Sequence, residues 1–75
     1  MKITTFNSRA DGSLSPGPTF GNEAMSGEAR MTRAVFEQVY GGAQVTDMAA
    51  ARVNHIPPGT VLWRTKSGVL MAIAD

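Results

Sequence analysis

A small α+β fold is predicted by three features of the 75-residue sequence. Residues 26–40 carry apolar side chains at helical spacing and run into Gly41-Gly42. Residues 60–65 and 69–74 are rich in β-branched and large apolar side chains, with Lys66-Ser67-Gly68 between them. Residues 7–22 sustain no period at all. The expected architecture is an extended N-terminal arm over residues 1–24, then a domain over residues 25–75 in which one or two short helices pack on a C-terminal β-hairpin.

Taken in chain order, residues 2–6 suit a short strand. Residues 7–22 hold three Gly, three Ser and two Pro, with only Leu14 and Phe20 as large apolar groups. A structureless run of that length is uncommon inside a compact domain, so the sequence predicts an arm that gains order against a partner. For the helix, Ser26 is the expected N-cap, Glu28 complements the dipole in the first turn, and Gly41-Gly42 supplies the stop. Met31, Val35 and Val39, with Ala34 alongside, form one apolar stripe, and Phe36 and Tyr40 form a second. Thr46 or Asp47 is expected to cap a shorter helix through about Asn54, with Met48, Ala51 and Val53 inward. Pro57-Pro58-Gly59 then ends the pattern in a turn.

The hairpin is the firmest local feature. A three-residue loop with Gly68 in the left-handed region sets Thr65 against Val69, Arg64 against Leu70, Trp63 against Met71, Leu62 against Ala72 and Val61 against Ile73. One face then shows Val61, Trp63, Thr65, Val69, Met71 and Ile73, and the other Leu62, Arg64, Leu70, Ala72 and Ala74. A half-exposed antiparallel sheet normally alternates apolar with polar, so a hairpin apolar on both faces needs covering on both. Its second strand, residues 69–74, lacks charge, Pro and Gly, the usual protections of an exposed edge. It is expected to be covered by residues 2–6 or by a partner's strand.

The chemistry of the chain argues against catalysis. There is no cysteine and a single histidine, His55, so neither a thiolate nor a histidine metal cage is available. His55 with Asp47 and a serine has only residue type in common with a hydrolytic triad. Gly41-Gly42 lacks the context of a phosphate-binding loop, and no carboxylate pair is gathered by spacing. No catalytic, cofactor-binding or metal-binding residue is therefore expected.

Seven Lys and Arg stand against six Asp and Glu, a net charge of +1, and the basic residues are scattered. That disfavours nucleic acid, since only Arg30, Arg33 and Arg52 converge by helical spacing. Two helices joined by Gly41-Gly42-Ala43-Gln44 have the order of a helix-turn-helix, but Asp47 near the start of the second would repel phosphate. No stretch has the length of a signal peptide's apolar region or of a membrane span, so synthesis in the cytoplasm is expected. The functional expectation is a non-enzymatic accessory or assembly protein that binds a larger protein scaffold, with a minor phage virion component, a capsid decoration or clamp, as its specific form. A small inhibitor or regulator docking on a host protein is the alternative, a DNA-binding regulator ranks below both, and self-association is compatible with each. The expected partner-binding residues are Phe6, Leu14 and Phe20 in the arm, Phe36 and Tyr40 on the helix, and Leu62, Leu70 and Met71 on the hairpin.

Overall fold

The computed structural model describes residues 1–20 and 32–74. Five strands, β1 (Lys2–Ser8), β2 (Leu14–Phe20), β3 (Ala43–Gln44), β4 (Val61–Arg64) and β5 (Leu70–Ala74), form one antiparallel sheet in the order β2-β1-β5-β4-β3, and one short helix, α1 (Arg33–Tyr40), lies between β2 and β3 in sequence. The fold is mixed α and β, and mostly strand.

The β4–β5 hairpin carries the register that its loop length predicts: Val61 opposite Ile73, Leu62 opposite Ala72, Trp63 opposite Met71 and Arg64 opposite Leu70. The Thr65 amide donates to the Val69 carbonyl at 2.9 Å and the Gly68 amide donates to the Thr65 carbonyl at 2.9 Å. The Thr65 side chain, which is buried, accepts from the Val69 amide at 3.1 Å. A buried hydroxyl is tolerated here because it has that partner.

Where an arm is expected, residues 1–20 are instead a second hairpin. β1 pairs with β2 on one side and with β5 on the other, Lys2 opposite Ala74, Ile3 opposite Ile73 and Thr4 opposite Ala72. β5 is therefore central, and its free edge is covered by residues 2–4 of the same chain. Residues 9–13 make the turn: the Arg9 amide donates to the Ser13 carbonyl at 2.8 Å and the Gly12 amide to the Arg9 carbonyl at 3.0 Å. Asp11 Oδ1 accepts from the Ser13 amide at 2.9 Å, an Asx-turn. The composition that reads as an arm is that of an edge strand. Pro16 and Pro18 lie in β2, and proline is confined within sheets to edges and bulges because it has no N–H for the ladder. The register slips between Thr4 and Phe6, a bulge in which Gly17 and Pro18 of β2 stand opposite the single residue Thr5 of β1.

α1 begins at Arg33, not near Ser26. Thr32 has extended backbone (φ −93°, ψ 167°) and its Oγ1 accepts from the Val35 amide, so Thr32 is the N-cap. Ser26, Glu28, Arg30 and Met31 lie outside the described residues. The helix stops at Gly41, as the sequence predicts, with the Gly41 amide donating to the Glu37 carbonyl at 2.8 Å.

The second helix is reduced to one turn. Asp47 caps it, accepting from the Ala50 amide at 3.1 Å. Val53 N–H then bonds to Met48 C=O at 3.0 Å and Arg52 N–H to Ala49 C=O at 3.1 Å. This 6→1 and 5→2 pair is a Schellman ending, with Arg52 at φ 63° in the left-handed position. Upstream, Ala43 and Gln44 pair with Arg64 and Trp63 as β3, so the link between the helical segments is a strand and no helix-turn-helix forms.

Two cores result, one on each side of the sheet. Met1, Ile3, Phe36, Trp63 and Ile73 make the first, beneath α1, with Tyr40, Val61 and Met71 packed against it. Ala51, Val53 and Leu62 make the second, with Phe6, Leu14, Val45, Met48, Ile56 and Leu70 around them. Adjacent residues of β4, Leu62 and Trp63, point into different cores, as alternation along a strand requires. The doubly apolar hairpin is thus covered on both faces by its own chain.

Candidate interaction surface

The short helix is held by its C-terminal end. The Lys66 amide donates to the Tyr40 carbonyl at 2.9 Å, and Trp63 Nε1 donates to the Gly41 carbonyl at 2.8 Å. Carbonyls left without intrahelical partners are thereby satisfied. Gly42 passes against β4 so closely that a Cβ there would lie 1.9 Å from the Arg64 carbonyl oxygen. Phe36 is wholly buried, with its ring 4.8 Å from that of Tyr40 and 6.2 Å, edge-on, from that of Trp63. The Arg33 guanidinium covers the Trp63 ring at 4.9 Å, and its Nε lies 3.6 Å from Glu37 Oε1.

This docking decides which helix stripe faces out. The aromatic pair Phe36 and Tyr40 goes in, because large rings remove the most apolar area from water. Val35 and Val39, one turn apart, face solvent at 42 % and 64 % exposure. Val69, beside the β4–β5 loop, is 49 % exposed. The sequence pattern makes the apolar face broad enough to hold both stripes and assigns Phe36 and Tyr40 to partner contact; the fold instead turns that pair inward and leaves Val35 and Val39 outside.

The eight expected contact residues divide differently. Phe36 and Leu62 are fully buried inside separate cores and present no side-chain surface. Tyr40 and Met71 are half-buried against the first core, and Phe6, Leu14 and Leu70 against the second. Phe20, at the end of β2 and opposite Ile3, is 48 % exposed. Of the eight, Phe20 alone is a largely exposed apolar group.

Both sheet edges resist strand addition. β3 is two residues long. On β2, Leu14 directs its backbone groups away from β1, donating to the Arg52 carbonyl at 2.7 Å and accepting from the Asn54 amide at 2.8 Å. By alternation the next outward-facing residue is Pro16, which has no N–H to offer. Contact with another protein would therefore run through side chains.

Polar groups serve the fold. Asp47 caps the 48–51 turn, and His55 is exposed in the segment that follows it. Among the described residues no group of three or more His, Asp or Glu is placed to hold a metal ion, and no helix is long and apolar enough to cross a membrane. In comparisons with known protein families, curated proteins and solved structures, the chain matches none at a significant level.

Proposed function

We propose that this chain is a non-enzymatic protein-binding module, an accessory or assembly protein that seats on a larger protein scaffold in the manner of a capsid decoration or clamp of a phage particle. The observation that carries the reading is the outer stripe of α1. Val35 and Val39 stand one turn apart in water on a helix pinned by Phe36, Tyr40 and its C-terminal carbonyls, an apolar stripe that a partner could cover. The blocked sheet edges direct a partner to this side-chain surface.

The test is native purification from the source, asking whether the chain travels with a large particle, combined with a Val35→Asp/Val39→Asp variant. The variant should keep its circular dichroism spectrum, because both side chains are exposed, and should lose association with the particle. Co-purification of the wild type with a single enzyme at equal stoichiometry would favour the inhibitor reading instead. Full retention of particle binding by the variant would refute the assigned surface.

A further inference from the structure

The two edges of the sheet are tied together by one short piece of chain. After β3, the Val45 amide bonds to the Leu62 carbonyl at 2.9 Å, and the chain then crosses the second core to reach the outer edge of β2, where Val53 bridges to Leu14. At that far end the backbone supplies two hydrogen bonds, from Leu14 to Arg52 and from Asn54 to Leu14.

Arg52 is an unfavourable residue for its place. It occupies the left-handed position of a Schellman ending at φ 63°, where glycine is the unstrained choice. Its side chain gives the compensating contact. Arg52 Nη2 donates to the Asp11 carbonyl at 2.6 Å, at the tip of the β1–β2 turn. The guanidinium lies against Gly12, 3.1–3.2 Å from where a Cβ would stand, so the absence of a side chain there makes its seat. Asn54 Nδ2 donates to Ser13 Oγ at 3.0 Å, and Ser13 Oγ donates in turn to Asp11 Oδ1. Residues 52 and 54 thus grip residues 11–13 from the neighbouring turn.

We propose that Arg52 is a latch: it holds the β1–β2 tip on the 48–53 turn, and its release opens the second core from one side while the central strands stay paired. Asp11, Gly12, Arg52 and Asn54 are exposed and Ser13 is partly so, the condition under which a region opens locally well below the cost of global unfolding. Behind the clasp lie Leu14, Val53, Phe6 and Ile56, which opening would present to solvent.

The Arg52→Gly variant separates a latch from a merely strained surface residue, because the two predict opposite results. Relief of a left-handed non-glycine residue alone would raise the melting temperature and leave exchange unchanged. A latch predicts at least a ten-fold rise in amide hydrogen exchange at Leu14 and Asn54, with the amides of β4 and β5 unchanged. Arg52→Lys keeps the charge and the backbone strain but loses the planar fork, and is expected to show the same selective rise. Unchanged exchange at Leu14 and Asn54 in Arg52→Gly, a uniform rise across the sheet, or wild-type protection in Arg52→Lys would each overturn the proposal.

Discussion

Replacing Gly42 with alanine is expected to destabilise the protein far more than the same change at Gly68, although both residues have φ near +90°. The left-handed region costs a residue with a Cβ about 1–2 kcal/mol at either site. The loss of unfolded-chain entropy returns about 0.4–1 kcal/mol at either site. The two differ in their surroundings. A Cβ on Gly68 meets nothing within 4 Å, whereas one on Gly42 meets the Arg64 carbonyl oxygen at 1.9 Å and the Thr65 Cα at 2.8 Å. Real Cβ atoms essentially never approach below 3.0 Å, so the backbone must part by at least 1.1 Å. The atoms in the way are main chain at the end of β4 and of the residue after it, and cannot rotate aside. Overpacking of this kind costs about 1–3 kcal/mol or more, which at about 4–8 °C per kcal/mol for a small domain separates the two variants by roughly 5–20 °C. Urea unfolding followed by Trp63 fluorescence measures both free energies. A Gly42→Ala midpoint within error of that of Gly68→Ala would show that α1 does not close on β4 as described.

Three further outcomes follow from other contacts. Trp63→Ala should cost about 3–5 kcal/mol by opening a cavity in the first core, while Trp63→Phe keeps a six-membered ring but loses the donor to Gly41 and should cost more than the roughly 1 kcal/mol of one hydrogen bond; calorimetry ranks the two, and a Trp63→Phe variant as stable as the parent would contradict the bond. The Asp11 carboxyl is held below its ordinary value of 3.8 by the Ser13 side-chain and backbone hydrogen bonds, with smaller help from Arg9 and Arg52. Its contribution to the tip is therefore present above about pH 4 and is lost as pH falls through the depressed folded value; a ¹H–¹⁵N titration should show this step at Ser13, absent in Asp11→Asn. Replacing both Pro16 and Pro18 with threonine should unblock the outer edge of β2 and produce concentration-dependent self-association by light scattering, and a strictly monomeric variant would assign edge protection elsewhere.

Legibility of the fold in the sequence followed the range of the interactions. The β4–β5 register was readable because a three-residue loop with Gly68 leaves one pairing, and the need to cover both faces was readable from the alternation of Leu62 and Trp63. The end of α1 at Gly41 was readable too. The start was not, because Ser26 and Thr32 are equally good caps by residue type. β2 was hidden by Pro16, Gly17 and Pro18, which depress strand propensity without preventing an edge position. A signal was nonetheless present: Asp11-Gly12 between Ile3–Phe6 and Leu14 is a turn dipeptide between apolar runs. The Ala49-Ala50-Ala51 run suggested a longer helix than forms, and its early stop depends on an arginine in a conformation that sequence assigns to glycine. For the candidate surface, the pattern offered two helix stripes, and the choice between them is made by β1 and β4, which are remote in sequence.

The pairing of Lys2 with Ala74 has a consequence for chain connectivity. β5 ends beside the start of β1 and runs antiparallel to it, which is the geometry of a hairpin lacking only its turn. Joining the two with a short Asn-Gly linker and cutting the chain at the Pro58-Gly59 turn would turn β4, β5, β1 and β2 into an uninterrupted meander in which every strand pairs with the next. The β1–β5 contact now closes about 70 residues of chain; as a tight turn it would close only a few, a difference of about 2–3 kcal/mol in closure entropy. The β3–β4 pairing, now spanning about 20 residues, would come to span roughly 60 and return about 1 kcal/mol of that gain, so such a permutant should reach the same five-stranded sheet at a modestly higher folding rate.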